Sequence, residues 1–225
     1  MKNYVAPSLL AANKNDLLNE IKKVESLGAE YLHWDIMDGI FVPNTSYSSE
    51  DVKKYSKVHK MVNDVHIMVS DPKEVSKEFV DAGADLITFH IEAVNCPICA
   101  GKIINYLHEH NVKAGISIKP KTKIKEILPL LDKVDVILVM SVEPGKGGQK
   151  FMPMALRKIK KLRHIIDKNN YNCLIEVDGG INDITGQKCR KAGADILVAG
   201  SYLFNHDDIK ERIDSLRWLN SILFG

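Results

Sequence analysis

Three stretches share one design: "LGAEYLHWD" (Leu27–Asp35), "AGADLITFH" (Ala82–His90) and "AGADILVAG" (Ala192–Gly200). Each reads as a helix end, a glycine that closes it, an acidic residue, and a strand rich in branched or aromatic side chains. Their glycines, Gly28, Gly83 and Gly193, stand 55 and 110 residues apart, so one copy is missing halfway along the second gap. "LDKVDVILVM" (Leu131–Met140) occupies that place as a degenerate copy. Half of the period is about 27 residues, the length of one strand plus one helix.

Filling in the halves predicts eight strands: Val5–Leu10, Glu30–Ile36, Asp64–Met68, Asp85–His90, Lys113–Ile118, Asp135–Met140, Asn172–Val177 and Asp195–Ala199. Helical patterns lie between them, among them "NDLLNEIKKVESLG", "DPKEVSKEFVDAG" and "MALRKIKKLRHIIDK". In the last, Leu156, Ile159, Leu162, Ile165 and Ile166 make one apolar stripe, and the basic residues read as its solvated face. Eight equal strand–helix units predict a parallel sheet that closes, an α/β fold of the (β/α)8 TIM-barrel type. No linker or low-complexity stretch divides the chain, so residues 1–225 read as one domain.

The composition agrees with an ordinary globular protein that has a sizeable core: 225 residues, 45% hydrophobic and 27% charged. A formal charge of +2 argues against nucleic acid or a membrane surface as partner. The opening "MKNYVAPSLL" lacks the apolar core and cleavage site of a signal peptide. The run "VDVILVMSV" is interrupted by Asp135 and is too short to span a bilayer. The expected setting is the cytoplasm. There the four cysteines are expected to be reduced, structural thiols. "CPIC" (Cys96–Cys99) has metal or redox spacing, but Cys173 and Cys189 form no second pair of that kind.

In a barrel of this kind chemistry gathers at the C-terminal ends of the strands. "HWDIMDG" (His33–Gly39) puts ionisable groups at one such end, where His33, Asp35 and Met37 share a face. His66 and Met68 end the third strand, Met140 the sixth, and Asp178 follows the seventh. Each polar residue alone would more often be structural. His33, Asp35, His66 and Asp178 converging on one mouth suffice to bind a divalent metal. The donor set suits zinc, iron, manganese or cobalt. Glycine-rich loops follow the last strands: "EPGKGGQ", "VDGGIN" and "VAGSYLF". Gly145, Gly147, Gly148, Gly180, Gly200 and Ser201 there are candidates to hold a phosphate.

Read together, "APSLLAAN", "HWDIMDGIFVPN", "DVHIMV", "VMSVEPGKGGQKFMP", "EVDGGIN" and "AGADILVAGS" resemble the ribulose-phosphate 3-epimerase family, in order and over essentially the whole chain. The resemblance implies a metal-dependent epimerase that interconverts D-ribulose 5-phosphate and D-xylulose 5-phosphate. It implies that His33, Asp35, His66 and Asp178 hold one divalent ion, and that Asp35 and Asp178 are the acid/base pair. Ser8 and His66 would touch the sugar. Gly145, Lys146, Gly147, Gly148, Gly179, Gly180, Gly200 and Ser201 would hold the phosphate end. Met37, Met68 and Met140 would pack around the reacting carbons. A homo-oligomer is expected, since this fold often assembles.

Several rim positions depart from the family pattern. Ala11 and Asn13 stand where serine and aspartate are usual, Ile40 where the pattern has histidine, "TSYSS" after Asn44, Lys119 at a usual asparagine, and Lys146 at a usual phenylalanine. The tail "LFNHDDI" is similar to the D-allulose-6-phosphate 3-epimerase branch, which stays open as the alternative. A non-catalytic sugar-phosphate-binding protein is the rival outside enzymology, although both aspartates are present. Decarboxylation of orotidine phosphate on the same barrel needs Asp-x-Lys-x-x-Asp. Asp35-Ile36-Met37-Asp38 has no lysine.

Overall fold

The computed structural model describes residues 2–94 and 96–217. Its strands are β1 (Tyr4–Pro7), β2 (Tyr31–Met37), β3 (Val62–Met68), β4 (Leu86–His90), β5 (Lys113–Ile118), β6 (Val136–Met140), β7 (Leu174–Asp178) and β8 (Ile196–Ala199). All pair in parallel, in the order β1-β8-β7-β6-β5-β4-β3-β2. β1 and β2 complete the ring through a single bridge, Ser8 to His33. The fold is a (β/α)8 barrel.

Its helices are α1 (Leu17–Ser26), α2 (Ser49–Tyr55), α3 (Pro72–Ala82), α4 (Pro97–Glu109), α5 (Met154–Asn169), α6 (Asp183–Ala192), α7 (Ser201–Phe204) and α8 (Ile209–Arg217). The fifth unit departs from the pattern. Two 3-10 turns, Ile124–Glu126 and Leu128–Leu130, stand where a helix would cross from β5 to β6. Pro129 lies inside this segment and would interrupt helical hydrogen bonding. On α5 the expected stripe packs inward: Ile159, Leu162 and Ile166 are buried, with Leu156 and Ile165 packed beside them.

The repeated acids lie just outside the strands, and the structure gives their purpose. Glu30, ahead of β2, accepts a hydrogen bond from Val5 N–H at the start of β1 (3.1 Å). Asp85 does the same for Asn63 N–H of β3 (2.7 Å), Asp135 for Ala114 N–H of β5 (2.9 Å), and Asp195 for Ile175 N–H of β7 (3.0 Å). Each clasp ties an even-numbered strand to the odd one before it, at the end of the barrel opposite the expected site. The repeat glycines serve the turn that precedes the acid. Gly83 and Gly193 have φ of 93° and 114°, a left-handed conformation that side chains disfavour.

Layers fill the barrel. Ala6, Tyr31, Leu86, Val136, Ile196 and Val198 form an apolar plug at the clasped end. Strand register then aligns His33 with Asp64, Asp35 with His66, and Met37 with Met68 across β2 and β3. Across β6 and β7 it aligns Leu138 with Glu176 and Met140 with Asp178. The interior therefore turns from apolar to polar toward the C-terminal ends of the strands.

Candidate active site

At that end lies a cavity of about 350 Å³. Ser8, Asp35, Met37, Met68, Met140 and Asp178 line its inner part. Gly145, Lys146, Gly147, Gly148, Gly179, Gly180, Gly200 and Ser201 line its outer part. Every candidate residue read from the sequence is on this wall except His33 and His66, which lie behind it and are fully buried. Leu10, Ala11, Val142, Glu143, Gln149, Ile181 and Asn205 also contribute, none of them singled out beforehand as a site residue.

Ligand atoms of His33, Asp35, His66 and Asp178 all lie within 4.8 Å of one another. Asp35 Oδ1 is 3.5 Å from both His33 Nε2 and His66 Nδ1. Those two nitrogens are buried and have no hydrogen-bond partner. Buried polar atoms are rarely left so, and two that face one carboxylate oxygen mark a place for a cation. Ser8 holds the other oxygen of Asp35, donating its hydroxyl to Oδ2 at 2.6 Å. Ser8 thus fixes a carboxylate as well as lining the wall.

Behind the four residues runs a supporting layer. His33 Nδ1 is 2.5 Å from Asp64 Oδ2 and 3.8 Å from Glu176 Oε1, with all three side chains fully buried. His66 Nε2 is 2.9 Å from His90 Nε2, and His90 Nδ1 is 3.1 Å from Glu92 Oε2. Glu92 also accepts the backbone N–H of Lys119 (2.7 Å) and the hydroxyl of Thr122. Asp64, His90, Glu92 and Glu176 were not read as site residues. The signal existed: Asp64 and Glu176 sit two residues before His66 and Asp178, and so share their faces.

Electrostatics separates the two carboxyl groups of the cavity. Burial opposes ionisation of Asp35, but the adjacent His33 and His66 rings win and hold it far below the usual carboxylate range. Burial and the charge of Asp35 push Asp178 up to about 7. Burial also disfavours a charged His33, yet Asp64 and Asp35 outweigh it and raise its pKa well above the ordinary value. The centre therefore favours positive charge. Burial, reinforced by Asp64, raises Glu176 well above the usual range, and burial lowers His66.

Asp38, the second aspartate of "HWDIMDG", has a different task. Its carboxylate accepts the backbone N–H of Ile40 and Phe41 (each 2.8 Å) and of Ser70 (2.6 Å), which shapes the loop after β2. That loop leaves Ile40 77% exposed and brings Phe41 under Lys119, whose Nζ is 3.8 Å from the ring centroid. The outer glycines admit backbone closely. Gly180 has φ of 62°, and a Cβ there would meet Phe151 N at 2.5 Å.

The cysteine expectation needs correcting. Cys96 and Cys99 are joined as a disulfide, with Cα atoms 5.3 Å apart, while Cys173 and Cys189 are free and buried. Spacing of two intervening residues at a helix start is compatible with a bond, so sequence spacing alone left the redox state open.

A model of the ribulose-phosphate 3-epimerase family matches residues 4–204, a span that contains every residue of the cavity except Asn205. The chain belongs to the ribulose-phosphate 3-epimerase family. It is 42% identical over 214 residues to ribulose-phosphate 3-epimerase of Bacillus subtilis (strain 168), covering 95% of this chain and 97% of that one. The corresponding protein of Methanocaldococcus jannaschii is also 42% identical, over 95% of this chain and 89% of its own. Among solved structures, 3-keto-L-gulonate-6-phosphate decarboxylase of Vibrio cholerae superposes with a TM-score of 0.71 at 14% identity, covering 96% of each chain. At that identity the likeness is one of fold. As a family member the chain is an isomerase, an epimerase acting on carbohydrates.

Proposed function

We propose that this epimerase interconverts D-ribulose 5-phosphate and D-xylulose 5-phosphate, with Asp35 and Asp178 as the acid/base pair. One observation carries this reading: the carboxyl groups of Asp35 and Asp178 line one cavity with their oxygens within 4.8 Å of each other, and the His33 and His66 rings favour the anion at Asp35 while burial and the Asp35 charge favour the acid at Asp178. Epimerisation beside a ketone needs that asymmetry. One carboxylate removes the proton from carbon, leaving a planar enediolate, and the opposite carboxylic acid returns a proton to the other face. After turnover the two have exchanged roles, which suits a reversible reaction.

The unpartnered His33 Nε2 and His66 Nδ1 beside Asp35 Oδ1 fit a divalent ion, and these residues with Asp178 would hold it. When bound, such an ion supplies a Lewis acid for the oxygens on which charge develops. Met37, Met68 and Met140, all nearly fully buried, surround the reacting carbons with polarisable sulfur that carries no exchangeable proton. Ser8 keeps Asp35 oriented. The glycines from Gly145 to Gly148, with Gly179, Gly180, Gly200 and Ser201, receive the phosphate at the outer end.

No helix among the described residues is long and apolar enough to cross a membrane, and the proposed setting is the cytoplasm. The alternative substrate pair, D-allulose 6-phosphate and D-fructose 6-phosphate, keeps one support in the tail "LFNHDDI". The test is turnover on both 3-epimer substrates in parallel, with exchange of the C3 proton followed in deuterated water. The pentulose phosphate is expected to have the higher kcat/KM by about tenfold or more. A reversed preference would move the assignment to the hexulose phosphate. No exchange from either would overturn the catalytic reading of the aspartates.

A further inference from the structure

The Cys96–Cys99 bond plays no part in the proposed epimerisation, and its setting differs from that of the other two cysteines. Burial pushes Cys173 and Cys189 up to about 12, which makes them inert thiols inside the barrel wall. Cys96 and Cys99 are only partly buried, and the two residues between them, Pro97 and Ile98, are exposed. Ile98 is 76% exposed, so an apolar contact surface lies beside the bond.

The pair opens the thirteen-residue helix α4, with Cys96 as its N-cap. Cys96 Sγ accepts the backbone N–H of Cys99 at 3.1 Å, in the position that serine or aspartate usually fills. A sulfur held there is favoured as an anion by the free N–H groups of the first turn and by the helix dipole. Among the described residues, the groups of three or more potential ligands are His33–Asp35–His66–Asp178 and His33–Asp64–Glu176, and neither contains a cysteine.

We propose that Cys96 and Cys99 are a reversible thiol–disulfide exchange site for a dithiol reductant, small molecule or protein. A thiolate of the reductant attacks Cys99 Sγ, and the S–S bond breaks with Cys96 leaving as the thiolate that the Cys99 amide stabilises. The reductant's second thiol then attacks the mixed disulfide and releases Cys99. The reductant loses two electrons and two protons and becomes a disulfide; the pair gains both. The site lies after β4, at the cavity end of the barrel. Cys96 stands four positions after Glu92, whose carboxylate holds His90, Thr122 and the backbone of Lys119. In a reducing compartment, disulfides of this kind are transient and redox-sensing.

The test uses the full-length native protein, equilibrated in buffers that step the ratio of reduced to oxidised dithiothreitol. It is then trapped with a maleimide and weighed intact. The expected result is no label at the oxidising end and two labels at the reducing end, on Cys96 and Cys99, with one curve reached from either direction. A bond that resists reduction until the protein unfolds would overturn the proposal, as would thiols that stay fully labelled at the oxidising end. The variant Cys96→Ser gives a second readout. Its Cys99 should take up one glutathione from oxidised glutathione in the folded state, and an absence of adduct would show that a thiol partner cannot reach the pair.

Discussion

His66 and His90 meet nitrogen to nitrogen, Nε2 to Nε2 at 2.9 Å, with both rings fully buried. One of the two must carry the hydrogen. Burial lowers His90 to about 4, so it is a neutral ring, and the carboxylate of Glu92 beside its Nδ1 places its only hydrogen there. His90 Nε2 is then an acceptor and His66 Nε2 a donor. His66 in consequence turns a lone pair at Nδ1 toward Asp35, as a metal ligand must. His90→Leu removes the acceptor that fixes this tautomer. Divalent-metal affinity, measured by competition with a chelator, should fall about 10- to 100-fold while circular dichroism is preserved. Glu92→Gln should lose less, because its amide oxygen can still accept from His90. Unchanged affinity in His90→Leu would show that His66 orients itself.

Asp35→Asn and Asp178→Asn should each lower turnover by about 10²-fold or more, since each face of the enediolate needs a proton carrier. Metal content must be determined beside the rate, because both residues are also proposed ligands. Near-normal turnover in either variant with its metal retained would remove that residue from the acid/base pair.

Asp178 also predicts a pH dependence of stability. Its pKa in the folded chain, about 7, lies above the value of about 3.9 for an unfolded chain. Between those values the native state binds more protons than the unfolded one, so this group makes stability fall as pH rises and has no further effect above the window. In chelator, Asp178→Asn should therefore gain melting temperature over the parent progressively from about pH 4 to pH 7. A constant difference across that range would contradict the raised pKa.

Lys146 lies in the glycine loop on the cavity wall with its side chain exposed. A cation there can reach a phosphate dianion, which an aromatic residue at the same place could not attract in that way. Lys146→Met should raise KM, and the KM of the variant should rise less steeply with salt than that of the parent. kcat should change little, because phosphate is held alike in ground and transition states. Equal KM values across a salt series would make Lys146 an ordinary surface lysine.

Asp85 tests the clasped end. Its carboxylate accepts Asn63 N–H at 2.7 Å and the Asn63 side-chain amide at 3.2 Å. Asp85→Ala should cost about 1–3 kcal/mol of stability by leaving that N–H unpaired. Turnover should be unchanged, because this end of the barrel is remote from the chemistry. A large loss of kcat with little change in unfolding midpoint would reverse that division of labour.

The division explains what sequence could reveal. Strand alternation placed His33 with Asp35, and the barrel rule brought His66 and Asp178 to the same mouth, so the four ligand candidates were legible. His90 ends β4 just as visibly, yet its meaning depends on one ring reaching another across β3 and β4, a distance that no spacing encodes. Expected strands began one residue early at Glu30, Asp85, Asp135 and Asp195, because an acid that hydrogen-bonds a neighbouring strand looks like part of its own. Equal strand–helix units predict a helix in the fifth unit as well. Within that unit Pro129 and short apolar spacing support only 3-10 turns.

The clasps also define how the ring can be taken apart. They join residues 25, 22, 21 and 20 positions apart, each within a strand pair, and one further bond, from Lys2 N–H to the Asp195 carboxylate at 2.9 Å, links the last pair to the chain entering the first. Counted this way the barrel is four self-latched modules rather than eight staves. A chain severed at the turn before β5 yields two half-rings with two intact latches apiece. The proposed site is shared across that cut: His33, Asp35 and His66 belong to one half, and Asp178 to the other. Neither half-ring contains a site, and each contains the means to hold its own strands in register.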